Sequence, residues 1–296
     1  MNTNTNAGTP GKAVLSVQSW VSSGHVGNAA AAFPLQRLGR EVLTVNTVQF
    51  SNHTGYPHFR GTIFPADDVA AIIEGLDEHG ALAGVGSVLS GYLGDPATAR
   101  VIGNAVARVR QRNHGALYCC DPVMGDERGK YVHDDIPEII AQELLGEADI
   151  VTPNHFELEH LSGRTLSRPE VPAAAVELRE RLRPDGPRLV AVTSVPASPG
   201  DQDTVLACGD GVYLLRSPRL ELPHYLSGTG DVLAALLLAF WLDTGDAPGA
   251  LARAVSSLHG ILEDTVAAGI PELALVAAQE QLVTPRTVFR PERLQG

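Results

Sequence analysis

The sequence is short of everything that would send it to a membrane, to nucleic acid or to an oxidising compartment. Its longest apolar run, Val232 to Leu242, falls well below the roughly 20 residues needed to cross a bilayer. Basic side chains number 22 against 34 acidic ones, a net charge of −12. That balance opposes the attraction to phosphate backbones on which nucleic-acid binding depends, so nucleic acid and anionic membranes are excluded as expected partners. The cysteines, Cys119, Cys120 and Cys208, are odd in number and lack metal-ligand spacing. They read as buried free thiols in a reducing cytoplasm. The opening Met1-Asn2-Thr3-Asn4-Thr5-Asn6 is polar and not basic-then-apolar, so no secretion leader is expected. The glycosylation pattern Asn52-His53-Thr54 then has no consequence. Internal repeats and long linkers are missing too, and His25, His114, His133 and His259 show no metal spacing.

Two phosphate-binding loops are also wanting. The nearest approach to a Walker A loop, Gly125 to Gly129-Lys130-Tyr131, is one residue short between its glycines and has Tyr where a metal-binding hydroxyl belongs. Gly24-His25-Val26-Gly27-Asn28 does not follow the dinucleotide fingerprint.

What is present is an ordinary globular composition, 44% hydrophobic and 19% charged over 296 residues, enough for a substantial core. Residues 1–12 read as a disordered tail and residues 13–296 as one domain. Strand-length apolar runs are expected at Ala13–Val17, Glu41–Asn46, Ala83–Leu89, Ala116–Cys120, Asp149–Val151 and Arg188–Val192. Helical patterns fall between them: an alanine-rich one closing at Leu38-Gly39, then Asp67–Glu78, Pro96–Arg112, one before Ala148, and Val171–Leu182. Asp203–Cys208 and Gly211–Leu215 read as a hairpin turned at Gly209-Asp210-Gly211, and helices fill the remainder to about Leu282. Thr47 to Gly61 reads as a polar loop.

Strands alternating with helices predict an α/β fold, a mostly parallel central sheet covered on both faces. Ligands of such sheets bind at the carboxyl ends of the strands. That rule gathers Ser19, Thr54, Tyr92, Asp121, Asn154, Glu157, Thr193 and the turn at Gly228 onto one edge.

The chain is organised around Ser227-Gly228-Thr229-Gly230-Asp231, which runs directly into the apolar stretch Val232–Leu242. A tight turn delivering the chain into a buried helix ending near Gly245 is expected. The first turn of a helix offers free N–H groups and the positive end of the macrodipole, an anion site that glycines let a phosphate approach. Asp231 would repel a phosphate held there. A kinase has a use for it, because a carboxylate can take the proton of an attacking hydroxyl while backbone donors stabilise the phosphoryl group. Asp231 as a plain helix cap is the other reading.

Three further motifs admit two readings each. Asp121 and Asp126, at a strand end, suit Mg²⁺ held by carboxylates and retained waters, or are solvated aspartates of a surface turn. Asn154 and Glu157 in Thr152-Pro153-Asn154-His155-Phe156-Glu157 have capping-box spacing; capping explains Glu157 completely, and the functional reading adds that it faces the metal and phosphates. His53, Thr54, Phe50 and Tyr92 can contact and stack on a ring, although each alone is explained by a structural role.

Val17-Gln18-Ser19, Gly24-His25-Val26-Gly27-Asn28, the loop from Asn46 to Tyr56, Ser90-Gly91-Tyr92, Cys120-Asp121-Pro122-Val123-Met124-Gly125-Asp126, Thr152–Glu157 and Gly228-Thr229-Gly230-Asp231 together resemble pyridoxal kinases of the ribokinase-like superfamily. Asn46-Thr47-Val48-Gln49-Phe50-Ser51-Asn52-His53-Thr54 is the stretch characteristic of that vitamin B6 branch; the other motifs are shared with hydroxymethylpyrimidine kinases. The resemblance implies a three-layer α/β/α ribokinase-like fold and ATP-dependent phosphorylation of the 5′-hydroxymethyl group of pyridoxal, with pyridoxine and pyridoxamine as further acceptors. It implies Asp231 as catalytic base and Gly228, Thr229 and Gly230 as anion hole. Ser19, Val26, Phe50, His53, Thr54, Tyr92 and Asp231 would contact the B6 substrate. Asp121, Asp126, Thr152, Asn154, Glu157 and Thr193 would serve ATP, with Asp121 and Glu157 toward Mg²⁺. Mg²⁺, K⁺ and a homodimer in the cytoplasm complete the expectation. Two departures from the family pattern are Trp20, which follows Ser19 where His is common, and a short segment from Asp126 to Tyr131. The competing expectations are a hydroxymethylpyrimidine kinase of the same fold and a non-catalytic B6-binding regulatory protein.

Overall fold

The computed structural model describes residues 11–221 and 225–295. Most of the expected tail, residues 1–10, lies outside them. The first half of the chain forms β1 (Ala13–Val21), α1 (Asn28–Arg37), β2 (Val42–Phe50), β3 (Gly61–Ile63), α2 (Ala66–Glu78), β4 (Val85–Ser90), α3 (Thr98–Arg112) and β5 (Leu117–Cys120). A small ribbon, β6 (Gly125–Asp126) and β7 (Gly129–Lys130), precedes α4 (Ile136–Ile139), β8 (Ile150–Val151), α5 (His155–Ser162), α6 (Val171–Arg179) and β9 (Leu189–Pro196). Then come β10 (Asp201–Cys208), β11 (Gly211–Pro218), α7 (Thr229–Thr244), α8 (Ala247–Ala268) and β12 (Glu292–Arg293).

Ten strands form one sheet in the order β12-β11-β10-β9-β8-β5-β4-β1-β2-β3. The six from β9 to β2 are parallel, and antiparallel strands extend both edges. The chain winds outward from β1 first to β2 and then, the other way, to β4, so the order reverses between β1 and β4. The carboxyl ends at such a reversal are the usual ligand position in these sheets.

Side-chain alternation along the strands feeds two cores. Leu15, Val17, Val190 and Val192 join a cluster with α2, α3 and α6, whereas Val14, Leu189 and Ala191 join one with α1, α7 and α8. The result is the three-layer α/β/α arrangement expected of the sequence. In α7, every residue from Val232 to Phe240 is buried. A helix apolar on all sides must be enclosed, and α1, α8 and the sheet enclose this one. Gly245 ends it in the left-handed conformation, φ 65°, as a C-terminal glycine does.

Some boundaries differ from the sequence reading. Residues 47–50, expected in a loop, continue β2, and Gly61–Ile63 return as the antiparallel β3; Val48 and Phe50 turn inward between polar residues that mask the alternation. β9 continues through Thr193 to Pro196 because β10 pairs with it that far. Helix does not fill the chain to Leu282: after α8 the path is irregular to a single 3₁₀ turn, Gln279–Leu282. The short β12, also unforeseen, pairs with β11.

Beside β8, Asp149 is fully buried. Its carboxylate accepts from Arg183 Nε at 2.8 Å, from Arg110 Nη2 at 3.0 Å and from the Tyr118 backbone N–H at 2.8 Å, clamping β5 and β8 between two helix-borne or loop-borne cations. Removing one partner of a buried ion pair costs about 3–5 kcal/mol. Asp149→Ala should therefore lower the melting temperature by roughly 10 °C, measured by calorimetry, with no direct effect on the distant carboxyl-end crevice.

Candidate active site

The crevice is built by the carboxyl ends of β1, β2, β4, β5 and β9 and by the amino end of α7. Gly228 is the N-cap of α7, with φ 89°. A Cβ there would come within 1.8 Å of the His25 carbonyl oxygen, so both the conformation and the close approach require glycine. The Val232 N–H already bonds the Gly228 carbonyl at 3.0 Å. Asp231, in the first turn, is half-buried. Burial raises its carboxyl above the ordinary aspartate value, and the backbone N–H groups of Gly27 and of Asp231 itself draw it back in part.

Gly27 links Asp231 to the amino-terminal part of the site. A Cβ on Gly27 would stand 2.3 Å from the carbonyl and hydroxyl oxygens of Ser19, so Ser19, Gly27 and Asp231 form one continuous contact. Trp20, next along β1, lies opposite Gln49 of β2. Asn28 fixes the surrounding backbone: its Nδ2 donates to the Val45 carbonyl at 3.0 Å and to Asn46 Oδ1 at 2.9 Å.

The expected ring wall assembles in part. Val26 and Tyr92 pack against a cluster of Val21, Val48 and Phe50, and the Thr47 hydroxyl ties β2 to the Tyr92 carbonyl at 2.7 Å. Phe50 also meets Phe59, ring centroids 5.1 Å apart. His53 reaches across to the Gly228 turn: its Nδ1 stands 3.3 Å from Ser227 Oγ and accepts from the Gly55 N–H at 3.2 Å. Its Nε2 lies 3.3 Å from Glu272. Burial holds the imidazole below its ordinary value against the opposing pull of Glu272. Thr54 lies exposed on the turn that follows.

On the other flank, Asp121 Oδ1 accepts the Thr152 hydroxyl at 2.9 Å, and Oδ2 would be 3.8 Å from a Cβ on Gly230, which puts Asp121 against the turn. Asn154 and Glu157 form a full capping box on α5. Glu157 Oε1 also accepts the Met124 N–H at 3.0 Å and Oε2 the Asn154 N–H at 2.9 Å; Asn154 Nδ2 donates to the Gly125 carbonyl at 2.8 Å. Thr193 bonds the Pro153 carbonyl through its N–H at 2.9 Å and pairs with Asn154. The capping and site readings of Glu157 thus describe the same atoms.

Asp126 has other partners. Its carboxylate accepts the Tyr225 hydroxyl at 2.6 Å and pairs with Arg128 at 3.1 Å, which holds it below the ordinary aspartate range despite the upward push of burial. The Arg128 guanidinium lies 3.1 Å over the Tyr225 ring. This latch joins the β6-β7 ribbon to the approach of the Gly228 turn. Neither Arg128, Tyr225 nor Glu272 stood out in the sequence. Each is a lone residue in a loop, and only the fold gives it neighbours.

The charge of Asp231 bears on both Asp121 and Glu157. Burial, then the charges of Glu157 and Asp231, push Asp121 well above the usual carboxylate range, and Glu157 is pushed up to about 8 chiefly by burial. Such a set is relieved by a cation, and hard oxygen donors suit Mg²⁺. Among the described residues no group of three or more His, Cys, Asp or Glu side chains stands close enough to hold an ion alone.

A raised carboxyl favours the folded state while it keeps its proton, below its unfolded value, and that contribution disappears as pH rises through its folded value. Asp121→Asn should therefore raise the melting temperature of the chelator-treated protein at pH 8, by about 2 °C or more, and the advantage should shrink toward pH 5. A gap independent of pH would contradict the repulsion.

Residues 44–273 match the family model described as phosphomethylpyrimidine kinase. The pyridoxal kinase PdxY of Deinococcus radiodurans is 49% identical over 289 residues, covering 95% of this chain and 96% of the relative. That of Granulibacter bethesdensis is 48% identical, covering 93% and 98%. Pyridoxal kinase from Leishmania donovani, solved in complex with ADP and pyridoxamine, superposes with a TM-score of 0.89 at 32% identity over 96% of this chain and 100% of that one. The same enzyme with ADP and pyridoxine gives 0.88 over 96% and 99%. With that identity along nearly its whole length, this chain belongs to the pyridoxal kinase family.

Proposed function

We propose that this chain transfers the γ-phosphoryl group of ATP to the 5′-hydroxymethyl oxygen of pyridoxal, yielding pyridoxal 5′-phosphate, and accepts pyridoxine and pyridoxamine in the same pocket. One observation carries the reading: a half-buried carboxylate, Asp231, sits at the open amino end of a buried helix and touches, through Gly27, the strand end that bears Ser19.

In this reading the B6 ring lies against Val26, Phe50, His53 and Tyr92, with Ser19 and Thr54 as polar contacts. Asp231 takes the hydroxymethyl proton as the oxygen attacks. Its raised affinity for a proton suits a general base. The N–H groups of the Gly228-Thr229-Gly230 turn and the positive end of the α7 macrodipole face the group in transfer, where preorganised donors act most strongly. Asp126, Thr152, Asn154 and Thr193 flank the nucleotide, and the α5 cap keeps Asn154 and Glu157 in place. Asp121 and Glu157 are the residues that would hold Mg²⁺, directly or through water, and the ion when bound supplies positive charge to the phosphate oxygens. K⁺ would lie near Thr152 and Thr193.

A homodimer is supported by the edge strand β3, whose three residues, Ile63 among them, are all exposed, with Phe59 bared beside it. A cytoplasmic location is supported by three buried free thiols, the usual state in a reducing compartment. The match to a phosphomethylpyrimidine kinase model favours hydroxymethylpyrimidine as the second acceptor to test. Parallel ATP-consumption assays separate the two rings.

Asp231→Asn should keep its fold and its ligand binding yet lose about 10²- to 10⁴-fold in kcat, the range of a general base. Undiminished turnover would remove Asp231 from the mechanism. Tight pyridoxal binding by the unmutated protein without product in ATP and Mg²⁺ would identify a binding protein.

A further inference from the structure

The chain beyond α8 returns to the site. Glu272, in the irregular segment after Gly269, places a largely covered carboxylate where two loops from the other end of the sequence meet. Its Oε1 accepts the Tyr56 hydroxyl at 2.6 Å and lies 3.3 Å from His53 Nε2. Its Oε2 lies 3.4 Å from the His25 backbone nitrogen, which donates to it, and a Cβ on Gly24 would come within 2.5 Å of it. Among the described residues, His53 is the only ion-pairing partner found for it.

The loop from Ser51 to Arg60 has little else to hold it in place. Asn52 bonds the His53 and His58 carbonyls, and the Ser51 hydroxyl bonds Asn52 and the Arg60 N–H, all within the loop. Apart from the Ser23 N–H, which bonds the Ser51 carbonyl at 2.9 Å at the loop's first residue, the contacts that leave the loop are those of Tyr56 and His53 with Glu272, of His53 with Ser227, and of Phe59 with Phe50. The carboxylate also sets the imidazole. With Nε2–H directed to Glu272, Nδ1 is the acceptor for the Gly55 N–H and the Ser227 hydroxyl, since the hydrogen bond at one ring nitrogen decides the state of the other. Ser227 precedes Gly228, so the hydrogen-bonded series Glu272, His53, Ser227 runs from the chain's carboxyl-terminal segment to the anion turn.

We infer that Glu272 is a positioning residue: it pins the Ser51–Arg60 loop over the substrate pocket and fixes its distance from the Gly228 turn. It acts through Tyr56 and His53 and not on the reacting atoms. The acceptor whose binding it governs rests on the phosphotransfer reading given above; the pinning of the loop does not.

The test uses the full-length protein and the variants Glu272→Ala, Tyr56→Phe and the double variant. In hydrogen–deuterium exchange without ligand, residues 51–60 should exchange at least tenfold faster in Glu272→Ala, while β1 and β4 keep their protection. In steady-state assays the KM for pyridoxal should rise tenfold or more with the KM for ATP within twofold of the unmutated value, a split that general destabilisation would not give. Tyr56→Phe should raise the pyridoxal KM threefold or more, and the double variant should be no worse than Glu272→Ala alone, because residues acting through one contact are not additive. Unchanged exchange in the loop, a pyridoxal KM within twofold of the unmutated protein, or additive effects would each overturn the assignment. If Glu272→Ala does not fold, Tyr56→Phe decides: a pyridoxal KM that does not move overturns it. Absence of any B6 phosphorylation by the unmutated protein would defeat the functional reading instead, and the exchange comparison would still judge the pinning.

Discussion

A helix without a polar face has one admissible position, between layers, and that constraint organises this molecule. Once α7 is enclosed by the sheet, α1 and α8, its amino end must emerge at an edge of the layers, because the unpaired N–H groups of a first turn need water or a partner. The emerging turn carries Asp231 and lies against the His25 carbonyl and the Asp121 carboxylate. Placing one apolar helix therefore also places an anion site and a base beside it. The reversal of strand order between β1 and β4 opens the space in front.

The electrostatics follow from that burial. Asp121, Glu157 and Asp231 are removed from water on one side of the crevice, where a phosphate chain would be unwelcome without a counter-charge. Arg128, on the ribbon turn beside this side, is committed to Asp126 and Tyr225. In the phosphotransfer reading, the anion turn and a divalent ion would supply positive charge to a nucleotide in a chain whose overall charge is −12.

Much of this was legible in the sequence where one physical cause acts locally. The apolar run after Gly230, the capping spacing of Asn154 and Glu157, and the hairpin at Gly209-Asp210-Gly211 each depend on residues a few positions apart, and each stands as read. Where two causes overlap, reading failed: polar Asn46, Thr47 and Gln49 disguise the outer half of β2, although Thr47 is as buried as the apolar Val48 and Phe50. Asp126 illustrates a second limit. Spacing paired it with Asp121, but its hydrogen bonds go to Arg128 and to Tyr225, 99 residues away. Glu272 had no local signal, since a glutamate after a helix and a proline resembles any surface loop.

The closing bond from His25 to Glu272 spans 247 positions of the sequence. Contacts so remote are reached late, after nearer ones have paid the loop-closure entropy. During synthesis the amino-terminal strands and their ring wall emerge long before the segment that fastens them, so a nascent chain can shape most of the sheet and still lack a finished pocket. Ligand capture is thereby deferred until translation is all but complete, because a chain cut short after α8 would lack both the last fastening of its substrate loop and the core side chains Leu273, Leu275 and Leu282.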